Sequence, residues 1–232
     1  MSKLFLLNNS KSILLFPNGF SFFKKEISGN ILEKTHSNTS VSFLPLFAKD
    51  YFSLENPETD KIDIIYDLFP PILIPKVLYD ESTANEALGS QFEISEGGQM
   101  KVEEMETYNA AYFINPNELN AIQKISNAPC FTHLDSLIFQ NLKDHSFYKS
   151  DNSLALSIND SYADYILIKS QKVHLVNRFN FTSEYDILYY LLNLFKQYGI
   201  KVDNCQIIFF QNKSTKINEI VSKYFHTCEC IV

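Results

Sequence analysis

Apolar and polar positions are arranged most clearly between Ser153 and Tyr198. Three runs rich in Ile, Leu, Val and Tyr, Ser153–Ile158, Asp164–Lys169 and Lys172–Arg178, are separated by two short polar turns. Such residues suit a pleated, half-buried surface and predict three strands. The spacing then becomes helical. From about Thr182 to Tyr198, Leu188, Leu191, Leu192 and Phe195 recur at i, i+3, i+4 and i+7, which predicts one apolar helix face. Thr182 or Ser183 is placed to cap the first turn, Glu184 and Asp186 suit the positive end of the dipole, and Gly199 suits a left-handed stop.

The N-terminal part repeats this grammar. Ser12–Phe16 is an apolar run, Pro17-Asn18-Gly19 a turn, Phe20–Glu26 a second run, and Ser28-Gly29-Asn30 a turn before a third strand at Ile31–Thr35. The two meanders have nearly the same spacing, which predicts a duplicated, two-lobed protein. Between them, Val41–Leu54 reads as a helix interrupted early by Pro45. Ile62–Asp67 and Ile72–Ile74 read as strands, and a helix is expected from Pro75 or Asp80 to Leu88. After the polar loop at Glu93–Gln99, Lys101–Tyr108 and Ala110–Ile114 read as a strand pair. Pro116 opens a helix to about Ser126. Cys130–Asp135 reads as a short strand and Ser136–Leu142 as a short helix. The polar stretch His145–Asn152 divides the lobes into residues 1–150 and 151–232. Cys205–Gln211 is a strongly apolar strand and Ser214–Phe225 a closing helix.

Composition narrows the function. At 232 residues and 45% hydrophobic, with 20 Phe and 13 Tyr, the chain has material for packed cores. A formal charge of −7 argues against a nucleic-acid footprint. Arg178 is the sole arginine, so bidentate recognition of phosphate is nearly unavailable. Four cysteines do not form a disulfide framework. No apolar run approaches the ~18 to 20 residues of a membrane span, and Met1–Asn9 is too short in its apolar part for a secretory signal. A cytoplasmic protein is expected.

Three segments, Ser12–Phe23, Ile62–Tyr79 and above all His174–Gly199, resemble a bacterial domain-of-unknown-function family, number 3822. Its members are assigned an actin-like ATPase fold of the ribonuclease H-like type, and the last segment is also similar to the second lobe of actin-like pilus-assembly and secretion proteins. The resemblance implies an α/β architecture of two lobes, each a mixed sheet flanked by helices, with a cleft between. An active member of that fold needs two Asp-x-Gly hairpin turns to cradle phosphates, and a Gly-Gly pair near the adenosine. Here the first turn is Pro17-Asn18-Gly19, without the acid. The second is Asn159-Asp160-Ser161, without a glycine. Gln211-Asn212-Lys213 stands where the adenosine glycines would come. The residues left to touch a nucleotide are Asn18, Gly19, Asn159, Asp160 and Ser161. The expected function is therefore a non-catalytic, protein-binding or scaffolding module with no cofactor, its candidate partners including a second copy of itself. The alternative is an ATPase using ATP with magnesium.

The remaining motifs have plain structural readings. Lys213-Ser214-Thr215 reads as a helix cap, because the glycines of a P-loop would fall at Ile207 and Asn212. His226, Cys228 and Cys230 alternate along an extended chain, but a structural zinc site wants a fourth ligand. Cys130 and Cys205 read as buried thiols. His133 and Asp135 share a short strand, which makes them a candidate acid–base pair, but no nucleophile motif accompanies them. Phe20, Phe22, Phe23, Phe43, Phe47, Tyr51, Phe52, Tyr185, Tyr189 and Tyr190 exceed what one stripe per helix needs, and Tyr185 with Tyr189 predicts an exposed aromatic patch.

Overall fold

The structure, a computed structural model, describes residues 10–25, 31–54, 61–143, 145–210, 215–225 and 228–231. The chain divides into two compact units, Met1–Leu137 and Ile138–Val232. The first opens with the antiparallel meander β1 (Lys11–Phe16), β2 (Gly19–Lys25) and β3 (Ile31–Ser37). Helix α1 (Leu44–Phe52) returns the chain to β4 (Asp63–Tyr66), which pairs parallel with β1. There follow β5 (Ile72–Pro75), α2 (Glu81–Gln91), β6 (Gln99–Glu104) and β7 (Tyr108–Ile114), then α3 (Pro116–Gln123) and β8 (Cys130–His133). The main sheet has the order β3-β2-β1-β4-β8, and the inserted strands form their own sheet, β5-β7-β6. Helix α4 (Leu134–Lys143) carries the chain on.

The second unit repeats this plan without the insertion. Its strands are β9 (Asn152–Ile158), β10 (Tyr162–Lys169) and β11 (Lys172–Asn180), followed by α5 (Glu184–Tyr198), β12 (Gln206–Phe210), α6 (Thr215–Tyr224) and β13 (Cys228–Ile231). Their order is β11-β10-β9-β12-β13, with the same antiparallel and parallel senses as in the first unit. The two meanders expected from spacing are thus equivalent, strand for strand.

Each sheet is covered by helices on one face. In the first unit Ile13, Leu15, Phe20, Phe22 and Ile64 pack against Leu44, Ala48 and Phe52 of α1 and Ile122 of α3. In the second, Leu154, Leu156, Ile207 and Phe209 pack against α5 and α6. The residues between them, Leu14 and Ile65 in one and Ala155 and Ile208 in the other, are buried as well. Burial on both faces explains why Ser12–Phe16 and Ile207–Phe210 read as continuous apolar runs rather than as alternation.

Local signals placed most helix ends correctly. The Asp186 carboxylate accepts from the backbone N–H groups of Thr182 and Ser183, both at 2.8 Å, and these bonds hold it below the usual carboxylate range. Gly199 closes α5 at φ 65°. Pro45 does not interrupt a helix. A single 3-10 turn at Val41–Phe43 precedes α1, and the proline occupies the first turn, where its missing N–H costs no bond. The strand at Cys130 ends at His133, so Asp135 belongs to the first turn of α4.

The apolar face of α5 is rotated from the expected one. Its buried positions are Ile187, Leu188, Leu191, Leu194 and Phe195. At about 100° per residue, Leu192 falls just beyond this arc and is 40% exposed, on the outward ridge with Tyr185 and Tyr189. Leu191→Ala should cost about 2–5 kcal/mol in a denaturant titration, as buried leucines do. Leu192→Ala should shift the midpoint far less. Equal losses for the two would mean that α5 packs in a different rotation.

Candidate functional site

The hairpin turns are the first place to look for a phosphate cradle. In the first unit Pro17 and Asn18 bridge the paired residues Phe16 and Gly19, and both are exposed. Gly19 has an ordinary negative φ, but a Cβ on it would collide with the Ser37 carbonyl of β3. Its missing side chain therefore makes room for the third strand. In the second unit the N–H of Asn159 donates to the Tyr162 carbonyl at 2.9 Å, leaving Asp160 and Ser161 exposed at the tip. The Ser161 carbonyl accepts from the N–H of Phe181 at 2.9 Å, which ties the tip to the chain beyond β11. Asn18 and Gly19 belong to one unit, Asn159, Asp160 and Ser161 to the other. Gln211-Asn212-Lys213, Ser214 and His226 lie outside the described residues.

Three residues beyond each turn a polar pair links the second and third strands. In the first unit Ser21 Oγ meets His36 Nδ1 at 2.9 Å, and the His36 ring stacks on Phe16 with centroids 4.8 Å apart. In the second, Arg178 donates from Nε and Nη2 to the two carboxylate oxygens of Asp164, at 2.6 and 2.8 Å. Its guanidinium carbon lies 3.9 Å from the centroid of the Tyr162 ring. Asp164 is 1% exposed, so this is a desolvated, bidentate pair. Sequence reasoning missed it: β11 also carries Lys172, His174 and Asn177, and only the strand register sets Asp164 opposite Arg178. The only arginine of the chain is occupied there.

His133 and Asp135 do not form an acid–base pair. His133 Nε2 donates to the Phe69 carbonyl at 2.8 Å, and Nδ1 accepts from the backbone N–H of Asp135 at 3.1 Å. Both ring nitrogens are used by backbone, the imidazole is the neutral Nε2–H tautomer, and the side chain is fully buried. The Asp135 carboxylate stands 3.7 Å from Nδ1, too far to bond it. Beside this ring Glu103 Oε1 accepts from the Tyr112 hydroxyl at 2.7 Å and from the N–H of His133 at 2.8 Å. Burial pushes the Glu103 carboxyl above its usual range, against the pull of those bonds. Burial, then the charge of Glu103, pushes the Tyr112 phenol up. Glu103, Tyr112 and His133 come from β6, β7 and β8, so the network ties the inserted sheet to the main one.

The thiols differ from each other. Cys205 is buried, and burial pushes its thiol up to about 12. Cys130, expected in a core, is exposed on β8. That strand is the last in its sheet, and Cys130, paired there with Asp63 of β4, lies at the edge.

An open cavity of about 620 Å³ lies in the first unit, between the end of α2 and the start of α3. Phe69 and Phe92, with ring centroids 5.2 Å apart, form its apolar wall. Gln91, Glu93, Asn115 and Glu118 supply polar groups, and among the described residues lining it none is basic. Glu118 Oε2 accepts from the backbone N–H of Asn115 at 2.7 Å, closing a capping box at the start of α3.

A family profile described as "Protein of unknown function (DUF3822)" matches residues 8–228. The chain belongs to that family. Solved structures share the DUF3822 protein's fold. A Bacteroides thetaiotaomicron protein with an actin-like ATPase fold and unknown function is 16% identical, at a TM-score of 0.79, over 99% of this chain and 91% of that one. The PilM–PilN type IV pilus biogenesis complex gives 12% identity and a TM-score of 0.59, over 96% and 88%. The ethanolamine utilization protein EutJ from Carboxydothermus hydrogenoformans gives 6% and 0.53, over 99% and 87%. No curated protein matches the sequence. The DUF3822 protein therefore has an actin-like ATPase fold, with mixed sheets flanked by helices. No helix among its described residues is long and apolar enough to cross a membrane.

The half-buried Glu103 has a pH signature. Its folded-state pKa is raised above the unfolded 4.5, so the native state holds the proton more tightly. Its contribution to stability is fullest below that value and is lost as pH rises through the folded pKa. Glu103→Gln removes the titration while keeping an acceptor for Tyr112 and His133. The stability difference between the variant and the parent should shift in favour of the variant from pH 4.5 upward, read as urea midpoints. A difference independent of pH would show that Glu103 titrates normally.

Proposed function

We propose that this DUF3822 protein is an actin-like module that does not hydrolyse ATP and acts by binding a protein partner. The observation that carries the reading is the state of the two hairpin turns. A phosphate cradle needs backbone N–H groups converging on the anion, usually through glycines. The glycine present, Gly19, is explained by its contact with β3, and the Asn159–Ser161 tip presents the Asp160 carboxylate without one. That charge repels phosphate unless a metal lies between. The arginine that would offset it is held by Asp164.

Two further features support a binding role. Tyr185 and Tyr189 are 65% and 64% exposed on one ridge of α5, an aromatic surface larger than the core requires. A fold relative at 12% identity, PilM, is known in a complex with PilN. That assembly belongs to PilM, and for this chain it supports only the class of activity.

ATP with magnesium at millimolar concentration should leave the melting temperature unchanged and release no phosphate. A ligand at a hundred times its dissociation constant would stabilise by ~2.7 kcal/mol, a rise of roughly 2–4 °C for a protein of this size. A magnesium-dependent rise that Asp160→Ala abolishes would replace this reading with the ATPase. Self-association, seen as concentration-dependent mass in light scattering, would identify the partner as a second copy.

A further inference from the structure

We propose that the cavity between α2 and α3 is a docking site for a short segment of a partner protein that carries a lysine or arginine beside an apolar side chain. The proposal deepens the protein-binding reading and rests on it. At about 620 Å³ the cavity is in the range of specific ligand clefts, roughly 300–1,000 Å³. Its polar and apolar walls together define the occupant.

The charge excludes anions. Glu93 and Glu118 both line the cavity, with no basic residue among the described lining. A helix N-terminus ordinarily attracts anions, but that of α3 is already answered. Pro116 has no N–H to offer, and the Glu118 carboxylate accepts from the N–H and side-chain amide of Asn115 at 2.7 and 3.3 Å. A phosphate or carboxylate would meet two negative charges and an offset dipole. A cation meets the reverse, and the chain's net charge of −7 favours its approach from a distance.

The apolar wall selects what accompanies that cation. Phe69 is 43% exposed, an unusual state for a phenylalanine that already touches Phe92 at 5.2 Å. A ring face of this kind receives a Lys or Arg stem, or an apolar side chain, and adds a cation–π attraction for the charged head. Gln91 and Asn117 at the rim are both donors and acceptors, as a peptide backbone requires. A basic group next to an apolar one, on a peptide backbone, satisfies all three walls together.

The full-length, 15N-labelled protein is titrated with three capped tetrapeptides, having Lys-Leu, Gln-Leu or Glu-Leu at the centre. The Lys-Leu peptide should move the amide signals of Gln91, Glu93 and Asn117, and raising the ionic strength should weaken it. Glu93→Gln, a change on an exposed loop, should reduce its affinity roughly fivefold, as loss of one partly exposed ion pair does. Phe69→Leu keeps the wall apolar and should weaken Lys-Leu more than Gln-Leu, because only the charged head loses the ring face. The Glu-Leu peptide binding as well as Lys-Leu, shifts confined to other surfaces, or no shift with any peptide would each overturn the proposal. ATP is titrated in parallel. Phosphate released from that ATP would end the non-hydrolysing reading and leave the peptide result standing, so the two failures are separable.

Discussion

Both units depend on the first strand of their meander being enclosed on all sides. β1 and β9 are central in their sheets, with an antiparallel hairpin partner on one edge and a parallel partner on the other. Their side chains are buried on both faces. An antiparallel partner is reached by a two-residue turn, but a parallel one needs a crossover, and the crossover helix is what covers the sheet. Once Ile13 and Leu154 must be buried, the positions of α1 and α5 and the pairing of β4 and β12 follow. The duplication is therefore visible in strand order although few residues are shared.

The polar residues on these sheets mostly do structural work. Ser21 with His36, and Asp164 with Arg178, occupy the same place in the two meanders, each with an aromatic ring against the basic partner. A buried ion pair adds little net stability, yet losing one partner leaves a charge stranded. Arg178 is thus committed to its own sheet. The same holds for His133, whose two nitrogens serve the Phe69 carbonyl and the Asp135 amide. Residue types that suggest chemistry in a linear chain are here spent on holding strands together.

Much of the fold was legible because its signals are local. Turns at Pro17-Asn18-Gly19 and Asn159-Asp160-Ser161, the Thr182–Asp186 cap and the Gly199 stop are set within a few residues of one another. What escaped was mostly set at a distance. Leu192 fits a helical stripe, and only packing against the core of the second unit decides which edge of the stripe is covered. Asp135 follows a strand without break in composition, and the bond from its N–H to His133 marks where the helix takes over. Cys130 looks like a core thiol until its strand is found at a sheet edge. The candidate cavity was illegible for the same reason. Phe69, Phe92 and Glu118 are scattered over some fifty residues, and no spacing announces that they meet.

The insertion of β5, α2, β6 and β7 also lengthens the loop that the first unit must close. In the second unit 17 residues separate β12 from β13, whereas 63 separate β4 from β8 in the first. Closing the longer loop costs the unfolded chain about 1 kcal/mol more, by the logarithmic growth of closure entropy with length. That excess shrinks if the inserted sheet folds before the strands around it meet, because a folded insert brings its own ends together. The Glu103 network fastens the insert to the strand that follows it, since its members come from β6, β7 and β8. The half of the molecule that leaves the ribosome first thus has the longer loop to close.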